Sequence, residues 1–122
     1  MQDFTKLKVW QRAHEVTLAV YRLTADFPRS ETYGLVSQMR RCAGSIGANI
    51  AEGCGRGSNA DLARYLQMAM GSTSELQYHL LLSRDLKFVG VPEHDELAAS
   101  VIEIRRMLAA LIAKLRIEST DN

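Results

Sequence analysis

The side chains able to ligate a metal or attack a substrate are few in this 122-residue sequence, and they are scattered. His14, His79 and His94 fall in three different helical patterns, and no spacing among them suggests a shared metal. Cys42 and Cys54 are the two cysteines; their spacing fits no metal motif, and they read as reduced thiols of a cytoplasmic protein. Serine, histidine and aspartate are all present, but no Gly-x-Ser-x-Gly elbow positions a nucleophile. A di-iron bundle would need Glu-x-x-His on two helices, and that pairing does not occur. The expectation is a non-enzymatic protein with no cofactor and no metal, whose chemistry is that of contact.

The contact residues are basic. Arg40 and Arg41 open the run "RRCAGSIGANIAEGCGRGS", residues 40–58, and arginine's planar fork suits a phosphate. Lys6, Lys8 and Arg12 surround Trp10, an interleaving that can bind single-stranded nucleic acid; the plainer reading is a tryptophan core anchor with solvated lysines. Arg56 sits in "GCGRGS", which lacks both the preceding strand of a dinucleotide loop and the Lys-Ser/Thr of a P-loop. Arg40, Arg41, Arg56, Lys6, Lys8 and Arg12 are therefore the candidate nucleic-acid contacts. Net charge is only +1, with a pI near 7.8, below the value of about 9 usual for a nucleic-acid-binding domain. Residues 1–58 nevertheless carry eight Lys/Arg against five Asp/Glu, and the remainder seven against nine, which permits a basic face.

The same run holds Gly44 and Gly47 inside a helical pattern, where each glycine costs about 1 kcal/mol relative to alanine. Gly44, Gly47, Ala48 and Ala51 share one side by i, i+3, i+4, i+7 spacing, so a partner backbone can come close. That partner is either a neighbouring helix of the same bundle or another subunit. Gly53 reads as a left-handed helix terminator, with Gly55 and Gly57 in the turn. Folding the chain back around Arg56 sets Gly71, a second mid-helix glycine, level with Arg41 and predicts a half-buried Arg41–Glu75 pair. Arg41, Ser45, Asn49 and Glu52 form a polar strip beside the apolar one.

Four elements must position these residues, and all four carry the 3.6-residue period of a helix. Val9, Ala13, Val16, Val20, Leu23 and Phe27 form the first stripe, closed by Pro28. The second runs from about Leu35 to Glu52 with Leu35, Met39, Cys42, Ile46 and Ile50 inward. A third starts at the Ser58/Asp61 capping pair and carries Leu62, Leu66, Ala69, Thr73, Leu76 and Leu80 to about Leu86. Leu97, Val101, Ile104, Leu108, Leu111 and Leu115 form the fourth, with Pro92 and Glu93 suited to its first turn. Met39, Met68, Met70 and Met107 read as core filler. Short connections favour antiparallel neighbours, so the fold class is all-α, an antiparallel up-down-up-down four-helix bundle. It spans one domain, residues 1–118, with a flexible tail at 119–122. No apolar run approaches the ~20 residues of a membrane span.

Three stretches, "KLKVWQRAHEV", "VYRLTADFPRSETYGLVSQMRRCAGSIGANIAEGCGRGS" and "RYLQMAMGSTSEL", resemble the 23S rRNA-intervening-sequence proteins, small bacterial four-helix bundles. The resemblance implies a cytosolic homopentamer, a ring of five bundles, with no established enzymatic activity. It also implies kinship with accessory proteins of the reverse transcriptase of diversity-generating retroelements, whose pentamer binds nucleic acid through a basic surface. The expected partners are thus further copies of the chain, and RNA or a nucleic-acid-processing protein. The alternative is a structural protein–protein scaffold with no nucleic-acid partner.

Overall fold

Each of the four hydrophobic stripes folds as a helix in the computed structural model, which describes residues 3–121, with side chains through residue 118. Helix α1 spans Lys8–Thr24, α2 Leu35–Cys54, α3 Asn59–Asp85 and α4 Val91–Asp121. Single 3-10 turns at Phe4–Lys6 and Arg29–Glu31 complete the order, and no strand occurs among the described residues. Side-chain bonds give the helix directions. Thr17 Oγ1 donates to the Ala43 carbonyl at 3.0 Å and Arg40 Nε to Thr24 Oγ1 at 2.9 Å, so α2 runs down as α1 runs up. Ser45 meets Ser72, and Ser83 donates to the Met39 sulfur at 3.3 Å, which sets α3 antiparallel to α2. Arg105 donates to Gln77 at 2.7 Å and Asn59 to Glu118 at 3.4 Å, which does the same for α4 and α3. Helix α1 also packs on α4, and Met39, Ile46, Ile50, Leu66, Leu76, Leu80, Ile104 and Leu108 are fully buried between the four.

All inward positions expected of α2 and α3 are buried. Other positions depart from the expectation. Helix α1 ends at Thr24, a turn before Phe27, because the residue ahead of Pro28 is held out of helical geometry. Phe27 still reaches the core, 5.4 Å from the Phe88 ring. In α4 the buried position is Ile112, with Leu111 only half-buried, as expected when a 3.6-residue helix drifts against a fixed heptad. Met68 is 48% exposed rather than core filler, whereas Met39 is fully buried. Gly53 is no left-handed terminator: it lies within α2, and no described glycine has a positive φ. Among the described residues the one positive φ is at Lys87, 65°, just past the end of α3.

The Ser58 cap forms, its Oγ accepting from the Asp61 amide at 3.1 Å. Pro92 and Glu93 sit in the first turn of α4. That helix is continuous to Asp121, so most of the expected 119–122 tail carries helical backbone; Asn122 lies outside the described residues.

Candidate functional site

The six basic candidates do not share one face. Helix α2 lays Arg40 against the end of α1, where Nε bonds Thr24 Oγ1, a second nitrogen donates to the Tyr21 carbonyl at 3.2 Å, and the guanidinium lies 4.7 Å from the Tyr21 ring centre. Arg40 is thereby a tie between two helices. Arg12 pairs with Glu103 of α4 at 3.7 Å. Arg56 donates to the Tyr65 hydroxyl at 2.6 Å and faces Glu52 at 3.6 Å. The Tyr65 bond, and then the Tyr65 and Glu52 charges, raise its pKa above the ordinary arginine value. Arg41, Lys6 and Lys8 are exposed.

Position along the bundle sorts the set further. The Phe4 ring lies 5.0 Å from that of Trp10, and Trp10 lies over Gly47, so the N-terminal segment rests on the last turns of α2. Lys6 and Lys8 thus share an end of the bundle with Arg56, the start of α3 and the last turns of α4. Arg40 and Arg41 lie toward the other end. Between α1 and α4 a groove of about 300 Å³ has an aliphatic floor, Val16, Ala19, Leu23 and Leu97, and carries Glu15, Glu93, Glu96 and Glu103.

The small-residue face divides. A methyl group at Gly47 would lie 3.3 Å from Trp10 Nε1, so this glycine admits the tryptophan. At Gly53 a methyl would lie 2.9 Å from both Leu62 Cδ1 and Tyr65 Cβ; Gly53 lets α3 start close against α2. Gly44 and Gly71 have no such neighbour within 4 Å, Ala48 is exposed and Ala51 half-buried. Gly44, Gly47, Ala48 and Ala51 line a shallow groove of about 240 Å³ with Trp10, His14 and Thr17.

The expected Arg41–Glu75 pair is not formed. Both side chains are exposed, and the Glu75 carboxylate lies 3.2 Å from His79 Nε2 instead. The cause is the helix face: the register that sets Ser72 against Ser45 brings Glu75 level with Cys42, but it is Cys42 that faces α3 while its neighbour Arg41 is exposed. The polar strip is satisfied within the bundle at Ser45, whose hydroxyl bonds Ser72 at 2.5 Å, and at Asn49, which donates to the Ser45 carbonyl at 2.8 Å.

That same register assembles a group the sequence reading missed. Cys42 of α2 meets Glu75 and His79 of α3, and their sulfur, oxygen and nitrogen atoms all lie within 4.8 Å of one another. Cys42 and His79 are buried; Glu75 is exposed. His79 Nδ1 is buried with no hydrogen-bond partner, a deficit of about 1–3 kcal/mol for such a group. Burial, and then the Glu75 charge, push the Cys42 thiol from its ordinary 9.0 up to about 12. The available signal was Glu75-x-x-x-His79, an i, i+4 pair on one helical face; the third member came from another helix and had no local signature.

A family model described as 23S rRNA-intervening sequence protein matches residues 5–110. No functionally curated protein matches the chain. Among solved structures, the chain is similar to a protein of unknown function from the S23 ribosomal protein family of Bacteroides thetaiotaomicron, determined at 1.70 Å. The two share 24% identity and a TM-score of 0.80, covering 86% of this chain and 95% of the other, a likeness of fold.

Proposed function

We infer that the chain, which belongs to the 23S rRNA-intervening sequence protein family, serves as a non-catalytic, homo-oligomeric binding module of the cytoplasm whose partner is structured RNA. The observation that carries this reading is that Lys6, Lys8 and Arg56 lie toward the same end of the bundle, with Trp10 packed between the N-terminal segment and α2. Arg56 is held there by Tyr65 with part of its fork still facing solvent. Charge at that end would be multiplied in an assembly, because a ring stacks the same end of every copy on one rim. The α1–α4 groove carries four glutamates and the single cation Arg12, so an RNA backbone would be repelled from it and steered to the rim.

Fluorescence anisotropy of a labelled structured RNA, titrated with the protein across a salt series, tests the reading. The expected result is binding that weakens steeply with salt, with the log–log slope falling by about one for each phosphate contact removed in Lys6→Ala and Lys8→Ala. Arg40→Ala should leave that slope unchanged and lower stability instead, since it breaks the tie to Thr24 and Tyr21. No binding at low salt would end the RNA reading.

A second reading, a protein–protein scaffold of identical copies, has its own observation. Gly44 and Gly71 each sit inside a helix at a cost of about 1 kcal/mol, and among the described residues nothing lies within 4 Å of a methyl placed there. A second copy lying close over them would account for both.

A further inference from the structure

We propose that Cys42, Glu75 and His79 form a binding site for a divalent cation of the zinc class, entered from the exposed side of α3. The donor set suits it: a thiolate and an imidazole favour zinc and its neighbours over magnesium or calcium, and the carboxylate completes three ligands of mixed softness. The spacing is close to what coordination requires. Zinc bonds of about 2.0–2.3 Å hold tetrahedral ligand atoms roughly 3.3–3.7 Å apart. His79 Nε2 and Glu75 Oε2 stand at 3.2 Å, and all three donors fall within 4.8 Å. Small side-chain rotations close the remainder.

The backbone beneath the site is fixed on both sides. Ser45 bonds Ser72 on one flank, and Ser83 bonds the Met39 sulfur on the other, so α2 and α3 are locked in register just where Cys42 faces Glu75 and His79. When Nε2–H donates to Glu75, the lone pair left on Nδ1 has nothing to accept, in an interior where nearly all such groups are satisfied. The Cys42 thiol donates to the Met39 carbonyl at 3.5 Å. A cation would take the place of the Glu75 contact at Nε2 and leave the ring proton on Nδ1. On binding, the Cys42 S–H bond breaks, its proton passes to water, and the sulfur lone pair bonds the metal; one proton is released per ion, and no electron is transferred. Three protein ligands leave the fourth position to a water on the Glu75 side, where that side chain is 56% exposed.

The test is a titration of the full chain, stripped of metal by a chelator, with cobalt(II) alone. The expected result is one cobalt per chain, a thiolate-to-cobalt charge-transfer band and visible bands of four-coordinate intensity, all displaced by zinc. The charge-transfer band should vanish in Cys42→Ser and persist in Cys54→Ser. Glu75→Gln, at an exposed position that does not threaten folding, should weaken binding by at least the 10–100-fold typical of partners outside the coordination shell. Absence of the band in the wild-type chain would overturn the proposal, as would a band that survives Cys42→Ser or is lost in Cys54→Ser. Circular dichroism of each variant separates loss of a ligand from loss of fold. The outcome is independent of RNA binding.

Discussion

Four glycines lie within the helices and do different things in the fold. Gly53 and Gly47 admit neighbours, Leu62 with Tyr65 and Trp10 respectively, whereas Gly44 and Gly71 open onto empty space. Alanine should therefore split them. At Gly53 a methyl meets Tyr65 Cβ, which is fixed to the α3 backbone and cannot rotate away, so Gly53→Ala should destabilise by roughly 1–3 kcal/mol. At Gly44 and Gly71 the methyl meets nothing, and the gain in helix propensity should stabilise each variant by roughly 0.5–1 kcal/mol. Urea unfolding at one protein concentration reads both signs. Equal effects at Gly53 and Gly44 would mean that the close approach of α3 does not set the cost.

At the scale of elements, the end of α3 carries a strained position. Phe88 N–H bonds the Ser83 carbonyl and Lys87 N–H the Arg84 carbonyl, the paired bonds of a Schellman ending, with Lys87 in the left-handed position glycine usually takes. A left-handed L-residue costs roughly 1–2 kcal/mol, so Lys87→Gly should raise stability by about 1 kcal/mol, less what glycine adds to unfolded-chain entropy. The check is a shifted denaturant midpoint at unchanged slope; an unchanged midpoint would mean that Lys87 bears no strain. The helices themselves were legible because each of Val9–Val20, Leu35–Ile50, Leu62–Leu80 and Leu97–Leu108 repeats one buried stripe, and periodicity is a local property. The ending at Lys87 was not, because nothing in "RDLKFVG" distinguishes a lysine forced into positive φ from one in solvent. Nor was the level at which α3 crosses α2. That offset depends on the pitch of "GCGRGS" and the first turn of α3, and it brings Glu75 and His79 to Cys42, while the neighbouring Arg41 faces solvent and the expected Arg41–Glu75 pair does not form. The candidate site was missed for the same reason: its members lie on two helices, and only their register joins them.

For the whole molecule, assembly turns on surfaces that a single chain leaves without a purpose. A net charge of +1 sets little Coulomb repulsion against bringing copies together, so packing decides the matter. The exposed apolar side chains include Leu18, Met68, Tyr78 and Leu81, and the last three share α3 with Gly71. A closed ring places one heterologous contact on every copy, and any side chain that blocks it acts at each interface at once. The 13.6 kDa chain is therefore expected to sediment as one species near five times its mass, the number that family resemblance implies. Gly71→Leu and Gly44→Leu supply the discriminating change. Each adds bulk where the single chain has room, so helix content and thermal unfolding of the isolated chain should hold. If the face carrying either glycine lies against another copy, that variant should sediment as a smaller species at a concentration where the wild type remains assembled. If both variants keep the wild-type mass, neither glycine lies at a contact between copies, and the ring, if present, closes through another face, with the α1–α4 groove the next surface to block.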